Sequence, residues 1–560
     1  MFNLSALDIG VMVFYAIAII AYGLYKGKRE SSEEYFLGGR SMTWPIVGIS
    51  LFAANISSST LVGLAGDAYK TNVHVFNYEW LAVVVLIVFA IFFMPFYIKS
   101  QVYTMPEFLE RRYDSRSRYY FSFITLVGNV IVDTAAGLYV GMLVLKLVFP
   151  ETETWLIITI LAVAAAAYTI PGGLSSVIHT EVIQAILLVI GSCILTYYCY
   201  DAVGGWDALL TKLTEMKGTP PVMDKTTDEI FSLVRPIGSV DYEGNEFMSW
   251  RGLLFGAPIL GFYFWANNQF MVQRVLSAKD LNHGRWGALF AGFLKLPVLF
   301  IMVLPGVFAI VMFSDLDLTA LNYNDCDNLA DCPNMTYPVL LFQLLPSGLL
   351  GLVLAGLLAA MMSSVSATFN SASTLITMDF IQKARPDMTS KELVRAGQIS
   401  TIVLVVLAAA WAPQIERFGS LFQYLQLVLA FICPPVVAVF VLGLFWKRAS
   451  ANGAFAALMV GFSIAIFLLL SNVYDISPYV NDIHFLDRAA LLLLICAIVH
   501  IVVSLQTEGP SEAVIANYTW RKSVWTEETE ELKALPWYQN YRILSLILLT
   551  ITIALVAWWW

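Results

Sequence analysis

Residues 355–375 read Ala-Gly-Leu-Leu-Ala-Ala-Met-Met-Ser-Ser-Val-Ser-Ala-Thr-Phe-Asn-Ser-Ala-Ser-Thr-Leu, and the run continues to Met378 and Asp379. The stretch opens as an apolar helix fit for a membrane and then becomes a ladder of hydroxyls. Ser363, Ser366, Asn370 and Thr374 fall at helical spacing and share one face, while Ser364, Thr368 and Ser371 line the neighbouring one. A helix in lipid has no use for seven such groups unless they meet other helices or something polar. Two readings stand at this point. Small hydroxylated residues let helix backbones approach closely, or their oxygens build a cation site.

Composition sets the class. Of 560 residues 59% are hydrophobic and 13% charged, and the mean hydropathy is +0.72. A soluble globular chain does not need that apolar share; a polytopic membrane protein does. Charge-poor apolar runs of roughly 18 residues or more recur, each able to span a bilayer core of about 30 Å. Such spans are helical, because lipid offers the backbone no hydrogen-bond partner. The net charge of −9 and the lack of a basic tract give no sign of nucleic acid as a partner. Five scattered histidines and no paired ligand motif argue against metal-dependent catalysis, so the chain reads as no enzyme.

About fourteen spans are expected, near 5–25, 44–67, 76–98, 118–148, 154–170, 176–201, 250–274, 287–313, 346–380, 393–411, 418–446, 452–471, 487–506 and 540–558. The first is an uncleaved span rather than a signal peptide, since Lys26, Lys28 and Arg29 follow it. With both termini outside, 21 Lys and Arg fall in inner connections and 6 in outer ones, as the positive-inside rule requires. Trp558, Trp559 and Trp560 suit an outer interfacial belt. Cys326 and Cys332 share an outer segment, where a disulfide and two free thiols are both open readings.

Several spans look interrupted. Ala53-Ala-Asn-Ile-Ser-Ser-Ser-Thr60 turns polar in mid-span, and Phe262-Tyr-Phe-Trp-Ala-Asn-Asn-Gln269 does the same five spans later. That spacing suggests two repeated five-helix halves, with solutes held at the discontinuous helices near the midplane. Pro434-Pro435 is expected to break the eleventh span.

The motifs Tyr35-Phe-Leu-Gly-Gly-Arg, Ala53-Ala-Asn-Ile-Ser, Val62-Gly-Leu-Ala-Gly, Tyr78-Glu-Trp, Tyr103-Thr-Met-Pro-Glu-Phe, Tyr168-Thr-Ile-Pro-Gly-Gly-Leu-Ser-Ser, Phe293-Leu-Lys-Leu, Ser363-Ser through Met378-Asp379, Tyr424-Leu-Gln and Gly443-Leu-Phe-Trp-Lys-Arg run collinearly over almost the whole chain. Together they resemble the sodium:solute symporter family, of the sodium/glucose and galactose cotransporter type. The resemblance implies an all-α polytopic membrane protein with a LeuT-type inverted repeat of five plus five helices. One leading span (1–43), a first repeat (44–202), an outer loop (203–249), a second repeat (250–446) and three trailing spans (447–560) would make up the chain. It further implies a sodium-coupled symporter importing a sugar or polyol by alternating access, in a plasma or bacterial inner membrane, with sodium as the co-transported ion and no organic cofactor.

Carried over residue by residue, sodium would be held by backbone carbonyls of Ala53, Ile56 and Ala360 and the hydroxyls of Ser363 and Ser364. Neutral oxygens give a hard cation a site it can also leave. A second sodium position would use Glu181 and Ser366, where relatives carry aspartate and one further hydroxyl. Intramembrane ionisable residues are candidates in their own right because burying them is costly, and Glu79, Asp133, Glu181 and Lys295 stand out. The resemblance places Glu79, Lys295 and Gln426 on the substrate, with Asn55, Thr60, Gly261, Phe264 and Trp265 around it and Tyr78 beside them. Carboxylate, ammonium and amide together suit a neutral polyol, although Glu79 and Lys295 could also be a structural pair. Asn129 and Asp133, four apart, face one cavity or pack between helices. Thr60, Gly261 and Phe264 depart from the residues of the sugar transporters, which leaves hexose, sugar derivative and inositol open. Two rivals remain: proton coupling through Glu181 or Asp133, and a sugar sensor that does not transport.

Overall fold

The computed structural model describes residues 4–27, 31–149, 151–236, 238–240, 248–319, 327–413, 415, 421–474 and 476–560, and at 131, 421–424, 472, 473 and 478 the backbone alone. Cys326, and with it the pairing with Cys332, lies outside the described residues, as does Arg417. The described chain is helical. Ten helices among the described residues are long and apolar enough to cross a membrane; an eleventh span is the pair Leu281–Lys295 and Leu299–Phe313, bent by 42°. The protein is therefore a multi-pass helical membrane protein.

The hydroxyl helix, Leu349–Leu375, is buried along nearly its whole length. It packs most extensively against Thr154–Val203, a 50-residue helix kinked at Gly173. Gly173 has φ +61°, and a Cβ there would stand 2.5 Å from the Tyr35 carbonyl oxygen, so glycine is required both by the backbone and by the close approach. The leading helix, Ala6–Lys26, is capped by Ser5, and its Asp8 carboxylate accepts the N–H groups of Gly348 and Gly351 at 2.7 Å. That carboxylate satisfies free donors at the start of the hydroxyl helix.

Two breaks give the centre of the protein its character. Trp44–Asn55 ends at Ile56, and Ser58–Thr71 restarts with Ser57 as its cap, the Ser57 side chain accepting the Thr60 N–H at 3.1 Å. Ala257–Phe262 runs into a wide turn at Tyr263–Asn267 and stops at Asn268, which caps Gln269–Leu276. Asn and Ser favour such positions because their side chains replace the lost backbone partner.

The expected break at Pro434-Pro435 is not found: Leu421–Phe445 runs through both prolines as one helix. A neighbour supports it, since Gly461 has no side chain where the Pro435 ring packs (a Cβ there would meet the ring at 2.3 Å). Close packing of that kind is how spans tolerate proline. The 507–539 connection also folds more than expected, into Glu512–Tyr518 and Lys522–Lys533. Leu233 N–H bonds the Trp559 carbonyl at 2.7 Å, and Trp559 packs on Trp206 and Phe231 while Trp558 and Trp560 stay exposed.

Candidate functional site

The two breaks and the hydroxyl helix border a cavity of about 130 Å³, room for about four waters. Asn55, Thr60, Tyr78, Glu79, Gly261, Phe264, Trp265 and Gln426 all line it, together with Asp133, Ser364 and Thr368. Residues up to 371 positions apart in sequence thus meet where the helices are interrupted.

Lys295 stands behind this wall. Its ammonium contacts the Glu79 carboxylate and donates to Asn55 Oδ1, and it lies 5.8 Å from the Trp265 ring centroid. A buried carboxylate held by one ammonium keeps further lone pairs for hydroxyl donors. The pair is therefore structural and presents Glu79 to the cavity at the same time. Thr60 contributes less than its position suggests, because its hydroxyl donates to the Asn55 carbonyl at 2.9 Å and is paired with Ser57 Oγ. Gly261 leaves open space: a Cβ there would make only ordinary contact with Val85, at 3.4 Å.

Asn129 does not reach the cavity. Its amide donates to Ser371 Oγ at 3.2 Å, while Asp133 faces the cavity. The four-residue spacing misleads here because Asn129–Thr134 is a wide π turn, in which i and i+4 no longer stack.

Ala53, Ile56, Ala360 and Ser363 come together round a separate narrow gap against Thr154–Val203. The broken helix frees two carbonyls there. Ser57 N–H bonds the Asn55 carbonyl rather than that of Ala53, and Thr60 N–H goes to Ser57 Oγ rather than to the Ile56 carbonyl. Ser363 Oγ is buried with no hydrogen-bond partner. Ser364 lies on the cavity side and donates to the Ala360 and Met361 carbonyls at 3.0 and 3.1 Å.

Glu181 and Ser366 are both committed elsewhere. Glu181 is paired with Arg274 and accepts from Ser50, all three buried. Ser366 donates to the Tyr168 hydroxyl at 2.7 Å. The pairing of Arg274 with Glu181 was hidden because an arginine at a span end reads equally well as a topology signal. A second buried network also escaped the sequence. Asp379 accepts from Thr104, Arg118 and Ser122 at 2.8, 2.6 and 2.5 Å, and Glu110 bridges Arg118 and Lys383. Elsewhere on this helix Thr368, at the cavity wall, pairs with Thr134, Thr374 accepts from Gln273, and Ser373 donates to the Gly397 carbonyl.

Discontinuous spans around a polar cavity, beside a gap edged by freed carbonyls and a bare serine, define a membrane protein of the broken-helix transporter class. A family model described as the sodium:solute symporter family matches residues 35–461. Sodium/glucose cotransporter 4 of Danio rerio is 34% identical over 554 residues, 95% of this chain and 82% of that protein. Sodium/myo-inositol cotransporter 2 of Oryctolagus cuniculus is 35% identical over 536 residues, 92% of this chain and 78% of its own length. Among solved structures, the substrate-bound outward-open state of a Na+-coupled sialic acid symporter superimposes with a TM-score of 0.74 at 20% identity, over 91% of this chain and 99% of the other. The chain belongs to the sodium:solute symporter family.

Proposed function

We propose that this protein is a sodium-coupled symporter that imports a neutral sugar or polyol by alternating access. The observation that carries the reading is the Glu79–Lys295–Asn55 cluster, its ion pair buried, on a cavity walled by Trp265 and Phe264. Relatives named for sodium-coupled glucose and myo-inositol transport support it. The finer architecture belongs to the same proposal. Fourteen spans result when the segments Ser58–Ser100 and Thr154–Val203 are divided at their breaks and the shorter apolar helix Gly252–Asn267 is counted as a span, with repeats at 44–202 and 250–446 and both termini outside. Cell membrane, plasma or bacterial inner, is the expected location.

In this reading Ala53, Ile56, Ala360 and Ser363 hold the sodium ion at the gap, and Ser364 joins them by turning its hydroxyl away from the Ala360 and Met361 carbonyls. Substrate hydroxyls bind Glu79, Gln426 and Asn55, with the aromatic faces of Trp265 and Phe264 against the ring. Coupling is to one sodium, because Arg274 already neutralises Glu181. The membrane potential supplies about 2.3 kcal/mol per charge per 100 mV, which supports roughly 50-fold accumulation for one sodium before any concentration gradient. The test is uptake of labelled hexoses and inositols into proteoliposomes under an inward sodium gradient. Uptake that is unchanged when choline replaces sodium refutes sodium coupling.

A second reading, proton coupling, rests on Asp133, which faces the cavity with no cationic partner among the described residues. Under that reading, uptake at constant pH survives the choline replacement and collapses with a protonophore.

A further inference from the structure

One buried side chain beside the narrow gap has no task in anything described so far. Gln184 lies one turn beyond Glu181 on Thr154–Val203, is 1% exposed, and lines the gap together with Ala53, Ile56, Ala360 and Ser363. Neither its amide oxygen nor its amide nitrogen has a hydrogen-bond partner. The Tyr15 and Tyr168 hydroxyls lie within interaction distance of the amide, but outside strict hydrogen-bond geometry. Tyr168 is already engaged, donating to the Met362 carbonyl and accepting from Ser366. A buried amide with both ends bare beside a serine with a bare hydroxyl calls for an ion or a water. The gap admits no water-sized sphere, whereas a dehydrated sodium ion is smaller than a water molecule.

The surroundings favour a cation held by neutral dipoles. Glu181, the acid nearest in sequence on the same helix, is engaged by Arg274 and Ser50 and is not free to ligate. Amide carbonyl oxygens are good ligands for hard cations, and the Gln184 oxygen accepts no hydrogen bond. Ser364 meanwhile points its hydroxyl at carbonyls of its own helix.

We propose that Gln184 is a sodium ligand through Oε1, joining the third helix, Thr154–Val203, to the broken turn and the hydroxyl helix at one ion. This rests on the reading of the gap as the sodium site. It makes Gln184 a determinant of sodium affinity, separate from the substrate cavity.

The experiment uses the purified full chain. Sodium chloride titrations of thermal stability without sugar are paired with sodium-dependent uptake in proteoliposomes, for Gln184→Leu, Gln184→Glu and Ser363→Ala. Gln184→Leu should raise the half-saturating sodium concentration about 5- to 10-fold, the loss of one neutral contact. Gln184→Glu should lower it and slow turnover, because a carboxylate releases the ion less readily. A merely structural glutamine would not give that gain in affinity. If Ser363→Ala weakens sodium binding while Gln184→Glu leaves it unchanged or weakens it, Gln184 is not a ligand and the sodium site stands without it. If Ser363→Ala and both Gln184 variants all leave sodium dependence at the wild-type value, the gap is not the sodium site and the underlying reading falls. Should Gln184→Leu fail to fold, Gln184→Glu carries the test alone.

Discussion

Glu79 and Lys295 form the pair on which the substrate reading turns, and a double-mutant cycle separates its two roles. Their side chains are 7% and 1% exposed, so removing one partner strands a buried charge at a cost of about 3–5 kcal/mol. Lys295→Met and Glu79→Gln should each lower thermal stability by that order. Glu79→Gln/Lys295→Met strands no charge, and its stability should return most of the way to wild type, short by the donor that Asn55 Oδ1 loses. Substrate affinity behaves differently if Glu79 receives hydroxyls. A hydrogen bond to a charged acceptor exceeds a neutral one by about 1–1.5 kcal/mol. Two hydroxyls on the carboxylate then amount to roughly 2–3 kcal/mol, a 30- to 150-fold rise in the half-saturating substrate concentration. That loss should persist in the double variant. The assays are thermal unfolding of the purified protein and sodium-driven uptake over a range of substrate concentrations. A double variant with both restored stability and wild-type substrate affinity would show that the pair is structural only, and the reasoning would be refuted.

Three further outcomes follow from the geometry. Gly173→Ala forces a side chain into left-handed backbone and onto the Tyr35 carbonyl, and should destabilise the fold by roughly 2–4 kcal/mol in thermal unfolding. Gly261→Ala meets only Val85 at 3.4 Å, so stability should hold or rise while affinity for the bulkiest transported substrate falls several-fold; equal loss for all substrates would mean that 261 does not set cavity size. The third concerns pH. Burial raises the Glu110 pKa, but its bonds to Lys383 and Arg118 outweigh this and leave it lowered. The stability this contributes is complete above the usual carboxylate range and is lost as pH falls through the depressed value. The stability difference between wild type and Glu110→Gln should therefore be constant near neutrality and close below about pH 4.

Sequence patterning revealed the spans and both interruptions because apolar length and buried polar residues are local signals. The Ala53–Thr60 and Phe262–Gln269 breaks are written in Asn and Ser at positions where a span should be apolar, and both appear in the fold. What stayed hidden depends on which distant residues meet. Ser363 and Ser364 are adjacent and chemically identical, yet one edges the gap and the other faces the cavity; helical spacing cannot assign them. Asn129 and Asp133 were joined by a four-residue rule that a π turn breaks. Pro434-Pro435 signals a break locally, and only the neighbouring Gly461 shows why the helix continues. Gln184 gave no signal, since a lone glutamine on a long apolar helix looks like a packing residue until its partners are counted.

The same arrangement explains how an ion and a substrate can be linked without touching. Ala53 and Ile56 edge the gap, and Asn55 between them lines the cavity and accepts from Lys295. On the hydroxyl helix Ser363 faces the gap and Ser364 the cavity. A cation drawing the freed carbonyls of the broken turn towards Ser363 would fix the turn that carries Asn55, and so the far side of the cavity. Within the turn, Ser57 N–H and the Thr60 hydroxyl donate to the Asn55 carbonyl, and Thr60 N–H donates to Ser57 Oγ. On the proposed reading, sodium contributes substrate affinity by ordering this turn, and linkage requires substrate to raise sodium affinity by the same factor. On that reading the coupling would reside in eight residues, 53–60, whose polar side chains replace hydrogen bonds that an unbroken helix would have made.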